Sequence, residues 1–262
     1  MSLDLGVFCK NTLDGEAVDH CFSALLGIGQ NADPSYLDWL MKAWGWTLAV
    51  AALGLVIALS LGALMGTLRT LPPDTALNRF LERLSTAWVE LFRNIPILVQ
   101  VFLWYHVIPA FFPTLKAFPS YLLVSIALGF FTSARIAEQV RAGIQSLPSG
   151  QKAAATALGL TTFQSYRYIL LPMALRIVIP PLTSESMNAV KNSSVAFAVS
   201  VPELTLFAMQ AQEETSRGVE IYLAVTALYA LSAFGINRVM ALIEKRSRIP
   251  GFISASNDAV AH

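Results

Sequence analysis

Polar and ionisable side chains recur inside two stretches of this sequence that are otherwise apolar. One stretch surrounds Pro96 and the other surrounds Lys191. Such side chains are costly inside a membrane, so they face a helix bundle or a water-filled cavity, where they can contact a polar solute. We predict a pathway that binds its solute non-covalently through these residues: Arg93, Asn94, Gln100, Glu185, Asn188, Lys191, Asn192 and Ser194.

Both groups also have a purely structural interpretation. Glu90 and Arg93 are three residues apart, so they can pair on one helical face near the membrane surface. Glu185 can pair with Lys191 and fix the packing of a helix. The sequence leaves these alternatives open. If Arg93 or Lys191 does face the pathway, its charge suits a carboxylate, whether on an acidic side chain or on the backbone of an amino acid.

Patterns for catalysis or cofactor binding are missing from the sequence. No glycine precedes a lysine, so a phosphate-binding loop of the Gly-Lys-Ser/Thr kind is excluded. His20, His106 and His262 are scattered, without metal-ligand spacing. We predict no catalytic residue, no metal site, no cofactor and no nucleic-acid partner. Any ATP and Mg would be bound by a separate subunit, so this chain would be a transport subunit and not an enzyme.

The composition is that of a membrane protein. Of 262 residues, 55% are hydrophobic and 13% are charged, with a net charge of +1 and a mean hydropathy of +0.57. Soluble domains carry roughly 25% charged residues. We therefore predict an all-α integral membrane domain embedded in lipid. Its five expected transmembrane helices lie near residues 43–68, 85–107, 121–137, 173–191 and 221–243.

Prolines and glycines indicate where these spans bend or approach each other. Pro96 is expected to break the second span, and Pro180 with Pro181 to break the fourth. A further short helix is expected over 201–212. Gly62 and Gly66 form a Gly-x-x-x-Gly pair that lets another helix pack closely. At the end of the third span, Arg135, Glu138 and Arg141 form a ladder of charges.

The segment before the first span is mixed in character. Asp4 interrupts it, and no long apolar run follows, so we do not expect a cleaved signal peptide. Cys9 and Cys21 could form a disulfide if this segment lies in an oxidising compartment. The expected organisation is an N-terminal segment over 1–42, a membrane domain over 43–245 and a tail over 246–262.

A polar helical stretch, Ser146–Pro172, separates the third and fourth spans. Ser149 can cap a helix over 151–158, and Gly159 is placed to end that helix in a left-handed conformation. Thr161 and Gln164 have the spacing of a capping box for a second helix that runs to about Leu170. The sequence predicts two short helices over 149–170 that meet at a glycine corner.

Lysine and arginine are unevenly divided between the two sets of connections. The richer set contains Ser146–Pro172 and the C-terminus, so we place both in the cytoplasm and the N-terminus outside. The richer set holds Arg69, Arg79, Arg83, Arg141, Lys152, Arg167, Lys245, Arg246 and Arg248, against Lys10, Lys42, Lys116 and Arg217.

The Ser146–Pro172 stretch resembles the EAA motif of ABC importer permeases. In that family the motif is a cytoplasmic coupling helix that docks in a groove of the ATPase subunit. The acidic first residue is replaced here by Ala153, while the later glycine and the Ile-x-Leu-Pro end are present. The resemblance implies that the ATPase-coupling residues are Gln151, Ala153, Ala154, Ala155, Gly159, Leu171 and Pro172.

Within this family the chain resembles the polar amino acid permeases, in particular the glutamate/aspartate branch. The runs that carry the resemblance are 90–96, 131–135, 138–148, 180–185 and 190–193. It implies the transmembrane domain of a type I ABC importer in the bacterial inner membrane, working by alternating access. The implied partners are a second permease subunit, two ATPase subunits and a periplasmic amino-acid-binding protein.

An ion-coupled secondary amino acid transporter is the alternative. Such a protein would show internal inverted repeats and paired broken helices. The two expected breaks, at Pro96 and at Pro180–Pro181, are compatible with that class. However, we find no convincing repeat in the sequence.

Overall fold

The fold is known from a computed structural model, which describes residues 4–13, 15–18, 21 and 35–247. A turn of 3₁₀ helix, Leu5–Cys9, precedes the longer helices. These are α1 Tyr36–Leu68, α2 Ala76–Asn94, α3 Ile97–Phe111, α4 Ser120–Gln145, α5 Ser149–Ala157, α6 Thr162–Val199, α7 Leu204–Thr215 and α8 Gly218–Ser247. Helices α3 and α6 each contain a π turn, Leu103–Val107 and Tyr166–Leu170, and α6 ends in the 3₁₀ turn Ser193–Val199.

Three of these helices, α1, α4 and α8, are each long and apolar enough to cross a membrane. Two further pairs pass the same test together but are bent, α2 with α3 by 106° and α6 with α7 by 53°. The predicted all-helical membrane fold is confirmed. The number of spans is three, or up to five if each bent pair is one span, so the expected count of five stays a prediction.

Helices α1 and α4 run parallel and touch through glycines. A Cβ atom at Gly62 would lie 2.6 Å from the Ile136 side chain, and one at Gly54 would lie 2.8 Å from Leu128. Gly66 is as tightly placed, with the Ala137 carbonyl 2.6 Å away. The predicted role of the Gly62/Gly66 pair in close helix packing is confirmed, and α4 becomes the central helix of the bundle.

The predicted break at Pro96 is confirmed. Helix α2 ends at Asn94, and α3 begins at Ile97 in a different direction. The fully buried Gln100 donates its amide hydrogens to the carbonyls of Phe92 and Ile95, at 2.9 Å each. These carbonyls lost their helical partners at the break, and a buried polar backbone group needs a replacement.

The predicted break at Pro180–Pro181 is wrong. Both prolines lie inside continuous helix of α6, with their rings exposed. Neither proline can donate a backbone hydrogen bond, but membrane helices tolerate prolines where they pack against neighbouring helices, as α6 does against α4 and α8. The chain bends instead after Ser200, which has φ of 58°. The expected short helix over 201–212 is confirmed as α7.

The N-terminal segment packs on the end of the bundle formed by α1, α7 and α8. Cys9 and Cys21 form a disulfide, which settles the pairing left open by the sequence. Asp4 lies 3.6 Å from the Arg217 guanidinium just before α8. Helix α1 begins at Tyr36, inside the segment expected over 1–42. Helix α8 extends through Ser247, and the rest of the expected tail over 246–262 lies outside the described residues.

The α1–α4 contact generates a stability prediction. Gly62→Ala should lower the stability of the folded protein by about 1–3 kcal/mol, because its methyl group overlaps Ile136. Gly235→Ala, at a helical position with nothing within 4 Å, should leave stability unchanged or raise it by up to about 1 kcal/mol. Thermal unfolding of both variants in detergent measures the difference. Equal unfolding temperatures would contradict the close packing at Gly62.

Candidate functional site

A polar cavity of about 520 Å³ lies between α2, α4 and α6. Arg93 reaches it from the end of α2, and Glu185 from α6. Helix α4 contributes one face, because Phe131, Arg135 and Gln139 follow each other at four-residue intervals. The complete lining is Arg93, Phe131, Arg135, Glu138, Gln139 and Glu185.

A two-point ion pair crosses one wall of the polar cavity. The Arg135 Nε and Nη2 atoms donate to the two carboxylate oxygens of Glu185, at 2.9 and 3.0 Å. Gln139 donates its amide to the same carboxylate at 3.1 Å. Glu185 is almost fully buried, so this geometry supplies the compensation that a buried carboxylate requires. The Oε1 atom of Gln139 is buried and has no hydrogen-bond partner in the structure.

Arginines from three helical regions converge on Glu138 at the other wall. Arg69 donates to Glu138 at 2.5 Å and Arg141 at 3.1 Å. Arg93 is held more loosely, at 3.9 Å, with 63% of its side chain exposed. Together with the Arg135–Glu185 pair, four arginines meet two glutamates, but only Arg93 and Arg135 of these arginines line the cavity, so the lining itself carries two positive and two negative charges. Of the two lining arginines, Arg93 is the more exposed and the more loosely held, so its guanidinium is available to an anion in the cavity.

The structure brings only two of the predicted pathway residues to the cavity, Arg93 and Glu185. Gln100 is engaged at the Pro96 break, and Asn94 is exposed at the end of α2. The other four predicted residues, Asn188, Lys191, Asn192 and Ser194, lie further along α6 and do not line it. Solute contact by any of these residues stays a prediction.

Both structural pairings considered from the sequence are wrong within the described chain. Arg93 approaches Glu138 and not Glu90, because the bundle places α4 beside the end of α2. Glu185 binds Arg135 and not Lys191, since the guanidinium of α4 offers two parallel hydrogen bonds. Lys191 is exposed and has no carboxylate within ion-pair distance among the described residues.

The α4 face of the cavity was not predicted from the sequence. Phe131, Arg135, Glu138 and Gln139 all line it, although Arg135 and Glu138 had been noted only as part of a charge ladder. The signal was present, because polar residues at 135 and 139 share one face of an otherwise apolar helix. The sequence does not show that this face of α4 is directed towards α2 and α6.

The glycine corner is built largely as predicted. Gly159 ends α5 with φ of 75°, and Thr161 and Gln164 exchange both capping-box hydrogen bonds. The expected cap at Ser149 is wrong, because Pro148 occupies the cap position and Ser149 is already helical. Pro172 marks the start of the α-helical part of α6 after the π turn.

The corner exposes apolar side chains to its surroundings. Leu158 is 78% exposed and Phe163 is 76% exposed, with Tyr168 beside them. Among the predicted coupling alanines, Ala153 and Ala154 are exposed, while Ala155 is buried against the rest of the chain. Large exposed apolar side chains close together indicate an interaction surface.

The corner is firmly attached to the bundle. The Tyr166 hydroxyl donates to the Thr70 carbonyl in the turn between α1 and α2. Leu147, Tyr166 and Leu170 belong to one buried cluster with residues of α4 and α6. The corner and the ends of these helices are therefore held as one packed unit.

Comparisons with known proteins agree with this architecture. The family described as "Binding-protein-dependent transport system inner membrane component" matches residues 58–249. The glutamate/aspartate import permease protein GltJ of Escherichia coli K12 is 43% identical over 227 residues, covering 83% of this chain and 90% of the relative. The glutamine transport system permease protein GlnP of the same organism is 30% identical, covering 80% of this chain and 93% of the relative.

Solved structures share the fold. An amino acid ABC transporter crystallised with histidines gives a TM-score of 0.69 at 26% identity, over 80% of this chain and 95% of that chain. The inward-facing MetNI methionine ABC transporter gives the same TM-score at 21% identity, over 80% and 97% of the two chains.

These findings make the protein an integral membrane component of a transport system. The chain belongs to the family of binding-protein-dependent inner membrane transport components, and its resemblance to polar amino acid importer permeases is confirmed. The ion-coupled secondary transporter considered from the sequence is wrong, because the family match covers most of the membrane domain.

The arginines around Glu138 generate a second prediction. Glu138→Gln should destabilise the protein by about 1–3 kcal/mol, because Arg69 and Arg141 lose a charged partner in a partly buried site. Glu90→Gln removes a carboxylate that is exposed on α2 and should have little effect. Thermal unfolding in detergent compares the two variants. If both unfold at the wild-type temperature, Glu138 does not hold these helices together.

Proposed function

We propose that this chain is the transmembrane permease subunit of an ATP-driven importer that moves a polar amino acid across the inner membrane. The favoured substrates are glutamate and aspartate, and the observation that carries this choice is the exposed, loosely held guanidinium of Arg93 in the polar cavity. These amino acids carry one net negative charge at neutral pH. The name of GltJ supports glutamate and aspartate, whereas the names of the other similar permeases support an amino acid substrate in general.

The cavity offers complementary groups for an acidic amino acid. The guanidinium of Arg93 is largely exposed and only loosely held, so it is free to take the side-chain carboxylate. The unpartnered Oε1 of Gln139 and the carboxylate of Glu185 are both buried at the cavity wall, and they would accept from the ammonium group if the wall opened during transport. These contacts involve no bond making or breaking, consistent with a transport subunit and not an enzyme.

The glycine corner is proposed as the site where an ATPase subunit docks. Leu158 and Phe163 would enter an apolar groove of that subunit, next to the predicted coupling residues Gln151, Ala153, Ala154, Ala155, Gly159, Leu171 and Pro172. ATP and Mg would be held by two ATPase subunits. A second permease subunit would complete the membrane part, and a periplasmic amino-acid-binding protein would deliver the substrate.

We propose a periplasmic N-terminus and a cytoplasmic C-terminus. The Cys9–Cys21 disulfide supports this orientation, because disulfides persist in oxidising compartments such as the periplasm. The excess of lysine and arginine on the connections at the corner end supports it independently. Closure of the ATPase subunits would then move the corner and rock the helices between outward- and inward-facing states.

The docking surface is tested by placing a charge on it. Leu158→Asp should abolish co-purification of the ATPase subunit from native membranes in mild detergent, because the carboxylate would be buried in an apolar contact. The matched control is Leu13→Asp, which changes an equally exposed leucine at the opposite end of the bundle. The control should retain the ATPase subunit.

Two outcomes would contradict the docking surface. Leu158→Asp could retain the ATPase subunit at wild-type levels, in which case the corner is not the contact. Alternatively, the well-folded wild-type chain could purify without any ATPase subunit, in which case ATP-driven import by this chain fails.

The acidic substrate is tested at Arg93. Arg93→Gln should raise the KM for glutamate uptake about tenfold in proteoliposomes containing the full importer, since a charged hydrogen bond contributes about 1.5–3 kcal/mol. Glutamine uptake, where it is measurable, should change much less. Arg79→Gln removes an exposed arginine near the start of the same helix and serves as the control.

The comparison between the two amino acids decides the role of Arg93. Equal losses for glutamate and glutamine would indicate a general effect on the permease and not recognition of the side-chain carboxylate. An unchanged KM for glutamate would remove Arg93 from the substrate site altogether.

A further inference from the structure

A second cavity, separate from the polar one, opens on the flank of the bundle. This lateral groove has a volume of about 500 Å³ and lies between α1 and α6, with α4 as its floor. Leu59 and Ala63 form the α1 wall, Val178 and Leu182 form the α6 wall, and Ile136 lies on the floor. All these side chains are apolar, so the groove suits a hydrocarbon.

One charged residue lies at the mouth of the lateral groove. Arg167, in the π turn of α6, lines the groove at the corner end and is exposed. Its one described interaction is with the ring of Tyr168, whose centroid is 5.9 Å away. No carboxylate lies within ion-pair distance of Arg167 in the part of the chain that the structure describes. Its guanidinium is therefore available to an external anion.

The length of the groove matches one leaflet of a membrane. Its α1 wall extends from Leu59 to Thr67, which corresponds to roughly 12 Å along a helix at 1.5 Å per residue. One leaflet contributes about 15 Å of hydrocarbon, half of the usual core. If Arg167 lies at the headgroup level, a groove of this length extends most of the way to the membrane centre.

We propose that the lateral groove is a binding site for one anionic phospholipid. An acyl chain lies along the apolar walls, and the phosphate of the headgroup pairs with Arg167. Charge complementarity selects an anionic lipid over a zwitterionic one, since a basic residue at a cleft between membrane helices attracts acidic headgroups. The site requires membrane embedding of the chain, but it depends on neither the substrate nor the ATPase proposed above.

The position of the groove gives a bound lipid a mechanical role. Leu171 and Pro172, at the beginning of the α-helical part of α6, also line the groove. A bound acyl chain would fill the space beneath them and support α6 where it leaves the glycine corner. The lipid would therefore stiffen the connection between the corner and the membrane helices.

The test measures lipid retention by native mass spectrometry. The chain is purified from native membranes, with whatever subunits accompany it, and exchanged into detergent containing equal amounts of phosphatidylglycerol and phosphatidylcholine. The wild type should retain phosphatidylglycerol preferentially. Arg167→Gln should reduce this preference about fivefold, the effect expected of one basic residue near a membrane surface.

Two further variants separate the headgroup contact from the groove. Arg238→Gln is the matched control, because Arg238 also lies over an aromatic ring, that of Phe234 at 4.7 Å, but does not line the groove. It should keep the wild-type preference. Ala63→Phe fills the groove from an exposed position and should lower retention while leaving Arg167 in place. Size-exclusion chromatography checks that each variant remains folded.

Several results would overturn the proposal. These are an absence of preference for phosphatidylglycerol in the wild type, an equal loss of that preference in Arg167→Gln and Arg238→Gln, or unchanged lipid retention in Ala63→Phe.

A protein occupant of the groove is tested with Ala63→Cys and a short thiol crosslinker. Capture of a second permease subunit would show that a helix, and not a lipid, covers the groove.

Discussion

Charged side chains inside a membrane bundle need partners, and the arrangement of this protein depends on that requirement. Helix α4 carries Arg135, Glu138 and Arg141 within an otherwise apolar span. Their partners come from other parts of the chain, because Arg69 approaches Glu138 from the end of α1 and Glu185 approaches Arg135 from α6. Burying either glutamate without these arginines would cost several kcal/mol. The same ion pairs that hold the helices together also form the walls of the polar cavity, so the packing of the bundle and the proposed solute site share one set of residues.

Backbone polar groups that are left free where a helix breaks also need hydrogen-bond partners. At the Pro96 break, the Gln100 side chain donates hydrogen bonds to the backbone carbonyls of Phe92 and Ile95, which have no helical partner. At the bend before α7, the buried carboxylate of Glu203 accepts from the amides of Thr205 and Leu206, while Thr47 of α1 accepts from the amide of Leu204. Because each exposed backbone group finds a side-chain partner, the bundle tolerates sharp bends at depths where water is scarce. The break at Pro96 leaves Arg93, near the end of α2, at the edge of the polar cavity.

Local sequence rules predicted the features that depend on neighbouring residues. The left-handed glycine at Gly159, the capping box at Thr161 and the break at Pro96 were all predictable from residue types and spacing. Features that depend on distant contacts were not. The Pro180–Pro181 pair stays helical because other helices pack against α6, and Glu185 pairs with Arg135, fifty positions earlier, because two helices happen to cross there. Four of the six residues that line the cavity come from α4, and the orientation of this helix is a property of the whole bundle.

The glycine corner and the polar cavity are linked by contacts between adjacent residues. Tyr166 of the corner donates to the carbonyl of Thr70, and the preceding residue, Arg69, binds Glu138 at the cavity wall. The turn that carries Thr70 and Arg69 is thus attached to both sites at once. A rigid displacement of the corner would pull on this turn and alter the position of Arg69 relative to Glu138. Because Glu138 also holds Arg141 and approaches Arg93, the loss or gain of one arginine changes the charge presented to the cavity. Under the proposed function, a displacement of the corner would reach the proposed solute site through this turn together with the end of α4, because both are packed against the corner.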